Sequence, residues 1–123
     1  MARIFLSIIG VLYIALSLWC AALPEKTSNS VGFELRPGSG QSEFLTVYGG
    51  LQFALGILFL WPMFRPTESW FPLVTCCVVH GGLVLFRTIS FLLYSGISTT
   101  TMIFAGIEWG VFILSAILLA KHS

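Results

Sequence analysis

The 123 residues are 57% hydrophobic and 9% charged, with a net charge of +1. A soluble domain is about a quarter charged, so this chain lacks the charged surface to cover a globule, and the bilayer is its expected solvent. The near-zero charge offers no broad basic face, which excludes nucleic acid as an expected partner.

The first apolar segment runs over about 4–23 and is preceded only by Met1, Ala2 and Arg3. It is longer than the roughly 7–15 apolar residues of a cleaved secretory signal. Leu18 and Trp19 before Cys20 do not suit a lipoprotein cleavage site. The segment is read as a retained spanning helix. Residues 24–42 form the one extended polar stretch, with Glu25, Lys26, Glu34 and Arg36 followed by the turn signal Pro37-Gly38-Ser39-Gly40. Val31, Phe33 and Leu35 alternate with Gly32 and Glu34, which predicts a short extended or interfacial piece.

Ser42 and Glu43 are expected to open the second helix, where a serine cap and an early glutamate satisfy the exposed N–H groups and the dipole. That helix is predicted over about 43–62, ended by Pro62 and Pro66. The third is predicted over about 69–95, with Pro72 tolerated in its first turn. The uncharged connection Ser95–Thr101 leads to the fourth, over about 101–120. Each segment approaches the roughly 20 apolar residues that a crossing needs. Trp61, Trp70 and Tyr94 sit near segment ends, where interfacial aromatics belong. The prediction is an all-α fold, a transmembrane four-helix bundle forming a single membrane domain over 1–123. Arg3, Arg65 and Lys121 on one side outnumber Lys26 and Arg36 on the other, which places both termini in the cytoplasm.

Arg87 and Glu108 each interrupt an apolar segment. A charge near the bilayer centre costs at least about 2.5 kcal/mol, so it faces the protein interior and needs a partner. Counting from Ser98, Arg87 lies 11 residues back and Glu108 lies 10 forward. Equal distance from the turn of an antiparallel hairpin means equal depth, so the two are expected to pair. A rise of about 1.5 Å per residue puts Tyr13, Tyr48 with Gln52, Arg87 and Glu108 in one layer of the outer half. Tyr48 and Gln52, four residues apart, share a face. This layer is read either as a structural network or as a pocket for the headgroup of a lipid, isoprenoid or quinone-like molecule.

His80 lies seven residues before Arg87 on the same face, deeper in the membrane, and reads first as a hydrogen-bonded core residue. Glu43 reads as a helix-start residue or as an accessory at the mouth of the layer. No cluster of His, Cys and carboxylates has metal-ligand spacing, and no cofactor is expected. Cys20, Cys76 and Cys77 form no Cys-x-x-Cys and are read as apolar filler. Gly106 and Gly110 make a GxxxG, a motif that lets helices approach closely. At about 100° per residue they point away from Glu108, toward a homodimer or another membrane partner. Gly49, Gly50 and Gly56, and Gly81 and Gly82, are assigned similar packing work.

The run Ser42-Glu43-Phe44, Tyr48-Gly49-Gly50-Leu51 and Leu55-Gly56 resembles the signature of a family of small bacterial four-span membrane proteins, catalogued as a domain of unknown function. That family also carries an arginine in helix three and a glutamate in helix four, places that Arg87 and Glu108 occupy. The chain departs from it in the turn after helix three, which is Ser95-Gly96-Ile97-Ser98 rather than a more polar one. The resemblance implies a bacterial inner-membrane protein and no particular reaction.

Three functions are weighed. The favoured one is a non-enzymatic binding or scaffold protein with lipid or an isoprenoid-like molecule as ligand. A small four-span transporter is the first alternative, disfavoured because Arg87 neutralises Glu108. A membrane isomerase-like enzyme of an apolar substrate is the second. Its acid and base would be Glu108 and His80, which the depth estimate separates by roughly 10 Å.

Overall fold

The computed structural model describes residues 1–122. Four helices are long and apolar enough to cross a membrane: α1 (Ala2–Ala22), α3 (Ser39–Phe64), α4 (Trp70–Leu93) and α5 (Thr99–His122). A short helix α2 (Pro24–Ser30) follows α1. The chain is a multi-pass membrane protein built as an all-α bundle. The faces of the long helices turned away from the bundle are apolar, with Ile8, Leu12, Val78, Phe86, Ile103 and Ile107 all exposed. In a bilayer these side chains meet lipid.

Several boundaries differ from the sequence expectation. The polar stretch opens with a short helix, and Pro24 occupies the first turn of α2, where its missing N–H costs nothing. Val31 and Gly32 form a turn, so no extended piece begins at Val31. Helix α3 starts at Ser39, so Ser42 and Glu43 lie within the helix and neither caps it. The cap is Gly38, at φ 82°, a conformation that suits glycine, and the Gln41 side chain accepts the Gly38 N–H at 3.1 Å. Pro62 does not end the helix but is buried in its last turns. Arg65 ends it, because the residue before Pro66 is driven to an extended conformation, here φ −130° and ψ 79°.

Residues Leu45–Leu51 of α3 form a π-helical segment. Phe44, Tyr48 and Gln52, which flank and centre it, repeat every four positions, and the α-helical stripe Leu55, Phe59, Pro62 continues from them. In an α-helix each four-residue step drifts about 40° around the axis. The wider π turn absorbs that drift and keeps Tyr48 and Gln52 above Leu55 and Phe59. Single π turns in α-helices occur frequently at functional sites.

The bundle is two close pairs. α1 packs along α3, and α4 packs along α5, while contact between the pairs is sparse. The pairs share one apolar core of Leu6, Ile9, Phe59, Leu73, Cys76 and Val111, with Ala2, Phe5, Leu118 and Leu119 against it. All of these lie toward the end that carries Met1 and His122, called here the terminal end. At the opposite end, called the loop end, buried residues belong to one pair or the other: Ser17, Cys20, Thr27, Ser28, Phe44 and Gly49 on one side, Val84 and Ala105 on the other.

Candidate functional site

The inward stripe of α4 runs Leu73, Cys76, His80, Val84, and Arg87 continues it one turn on. On α5 the stripe is Ala105, Val111, Ser115, and Glu108 sits between the first two. The stripes therefore aim both charges into the bundle. Arg87 Nε donates to Glu108 Oε1 at 2.9 Å, and Nη2 donates to Oε2 at 2.7 Å. This is the bidentate geometry that a planar guanidinium makes with a carboxylate. The pairing expected from equal distance to the turn is present.

Tyr48 and Gln52 face the same interior from α3. The Tyr48 ring stacks on Phe44 at 4.7 Å and meets Phe33 of the first loop edge-on at 5.9 Å. The Gln52 Oε1 atom is buried and has no hydrogen-bond partner. Among the described residues, Tyr48 Oη and Arg87 Nη1 likewise make no hydrogen bond. Glu43 is exposed one turn from the start of α3 and takes no part in the layer.

Tyr13 does not belong to this layer. Its hydroxyl is 2.9 Å from His80 Nε2, one level nearer the terminal end. Helical side chains lean toward their own helix N-terminus, and for α1 that is the terminal end. Counting residues along the axis ignored this lean of a long side chain. The His80 tautomer follows from its other nitrogen: Nδ1 lies 2.8 Å from the Cys76 carbonyl oxygen, which only accepts. Nδ1 therefore carries the proton, and Nε2 accepts from the Tyr13 hydroxyl. Phe59 closes the group, edge-on to Tyr13 at 5.3 Å. His80 is thus a satisfied core histidine, 2% exposed, whereas the Arg87 and Glu108 side chains are 28% and 14% exposed. His80 is enclosed, whereas Tyr13, like Arg87 and Glu108, is partly buried.

Among the described residues, Tyr13–His80 is the one side-chain hydrogen bond that joins the two helix pairs. Tyr13→Phe leaves a buried acceptor unpaired. Hydrogen bonds between membrane helices contribute about 0.6 kcal/mol on average and about 1.7 at most. A loss of about 1 kcal/mol is expected, read as a lowered unfolding midpoint in detergent. An unchanged midpoint would show that the bond does not tie the pairs.

The glycines divide by environment. A Cβ on Gly56 would come within 2.7 Å of the Ile14 side chain, and one on Gly49 within 3.9 Å of Ala21, so both lie where α1 and α3 pack. A Cβ on Gly81 would meet Phe112 of α5 at 3.1 Å. Gly50, Gly82, Gly106 and Gly110 face open space, so none of the four mediates packing within the chain. Gly10 is the most crowded position of all. No group of three or more His, Cys, Asp or Glu able to hold a metal exists among the described residues. Two shallow apolar grooves lie on the bundle surface, one between α1 and α3 beside Gly49 and Gly50, the other around Trp61 and Phe71.

Comparison with known proteins adds one result. The chain belongs to DUF4345, a domain of unknown function. The match to this DUF4345 model spans residues 1–119, so it takes in all four long helices and the whole polar layer. No curated protein and no solved structure matches the chain.

Proposed function

We propose that this protein is a non-enzymatic membrane protein that holds the polar head of an apolar small molecule or lipid in the layer formed by Arg87, Glu108, Tyr48 and Gln52. The observation that carries the reading is the buried Gln52 Oε1 without a hydrogen-bond partner, together with an ion pair whose side chains stay partly exposed. A buried acceptor without a hydrogen bond costs about 1–3 kcal/mol, and a ligand donor would remove that cost. A purely structural network would be expected to close on itself, as Tyr13 and His80 do. The core shared by the two helix pairs lies at the terminal end, away from the layer.

The setting we infer is a bacterial inner membrane with both termini cytoplasmic, following the bias of Arg3, Arg65 and Lys121 over Lys26 and Arg36. The exposed Gly106 and Gly110 face would then be available to a second copy or another membrane protein. Small molecules that co-purify in mild detergent, identified by mass spectrometry, test the binding reading. The native protein is expected to retain a species that Arg87→Ala and Tyr48→Phe lose. Tyr48→Phe keeps the ring stacking, so its loss of ligand would not be a loss of fold. A folded native sample that retains nothing would overturn the reading.

A further inference from the structure

The unspent hydrogen-bonding groups of the layer also bear on the charge of what it holds, an inference that rests on the binding reading. Arg87 commits Nε and Nη2 to both oxygens of Glu108. The two formal charges cancel, and the layer has no net charge to offer. An anionic head would either add an uncompensated charge at membrane depth or draw Arg87 away and strand the Glu108 carboxylate. Both are unfavourable where the dielectric is low.

What remains free is neutral hydrogen-bonding capacity. Arg87 Nη1 keeps two N–H donors, and its side chain is 28% exposed. The Tyr48 ring is stacked on Phe44, and its hydroxyl has no hydrogen-bond partner among the described residues. Gln52 Oε1 needs a donor. The complement of this set is a head that accepts from the guanidinium or phenol and donates to the Gln52 carbonyl. A carbonyl or ester oxygen with a neighbouring hydroxyl does both. We propose that the Arg87–Glu108 layer selects an uncharged amphiphile whose head carries a carbonyl or ester oxygen and a hydroxyl.

Diacylglycerol, phosphatidic acid and phosphatidylethanolamine with the same two acyl chains test this. The first is uncharged, the second anionic and the third zwitterionic. Binding to the full-length protein in detergent is measured for each, with the unfolding midpoint followed in parallel. Diacylglycerol is expected to bind at least about tenfold more tightly than either phospholipid, and Gln52→Leu to weaken it about tenfold without lowering the midpoint. Tighter binding of phosphatidic acid, or of phosphatidylethanolamine, would overturn the inference about charge while leaving the binding reading in place. A charged species found co-purifying would do the same. If none of the three binds and nothing co-purifies with folded protein, the binding reading itself fails, and the inference falls with it.

Discussion

Arg87→Ala is expected to lower the free energy of unfolding by about 2–3 kcal/mol, and the double substitution Arg87→Leu with Glu108→Leu to recover most of that loss. The single change strands a carboxylate that is 14% exposed. Removing one partner of a fully buried ion pair costs about 3–5 kcal/mol, and the smaller loss expected here follows from the partial exposure of both side chains. The double change leaves no charge to strand, and two leucines fill similar space in an apolar surround. Replacement of a buried pair by apolar residues is often neutral or stabilising. A denaturant titration of both single variants and the double, in one detergent, gives the coupling between the residues. Strictly additive losses would mean that the two side chains do not act as a pair.

The same double variant separates the structural and binding readings of the layer. A scaffold role requires only that the interior be filled without an unpaired charge, so the folded leucine variant should behave as the native protein does. A binding role requires the donors that leucine lacks. A stable double variant that no longer retains the co-purifying species would therefore locate function in the polar groups, independent of their contribution to folding.

The Arg87–Glu108 pair was legible in the sequence for a geometric reason. Two helices joined by a short turn are in phase at that turn, and depth can be counted from it. No such reference relates α1 to α4. The count placed Tyr13 beside Arg87 because it followed the backbone, and the phenol leans toward the start of α1 by the length of its side chain. Tyr48 shows the converse. Its helix starts at the loop end, so its ring leans toward Phe44 and Phe33. The π segment at Leu45–Leu51 was not legible: Phe44, Tyr48 and Gln52 repeat every four residues, but so do Cys76, His80 and Val84 on the regular α-helix α4. Pro62 misled for a simpler reason: a proline in the last turns of a helix forfeits one hydrogen bond without ending it, and Pro66 with its preceding Arg65 makes the stop.

Gly10→Ala is expected to destabilise the protein by about 1–3 kcal/mol, while Gly106→Ala and Gly110→Ala leave monomer stability unchanged or slightly raised. A Cβ on Gly10 would lie 2.6 Å from Leu60 Cγ and 2.9 Å from the Gly56 carbonyl oxygen. A Cβ on Gly56 would lie 3.1 Å from the Gly10 carbonyl oxygen. Each glycine thus admits the backbone of the other helix, and α1 and α3 cross there with nothing between them. Leu60 can rotate away, but the Gly56 carbonyl is fixed in its helix. Relief requires the helices to separate, and overpacking of this kind costs about 1–3 kcal/mol. Gly106 and Gly110 have no atom within 4 Å of an added Cβ, so alanine there meets no obstacle and gains helix propensity, worth up to about 1 kcal/mol. Unfolding midpoints of the three variants decide the first point, and a neutral Gly10→Ala would mean that the crossing relaxes freely. Cross-linking in the bilayer decides the second. If Gly106→Ala with Gly110→Ala abolishes a cross-linked dimer while the monomer keeps its stability, the motif serves association between chains, because within one chain its glycines touch nothing.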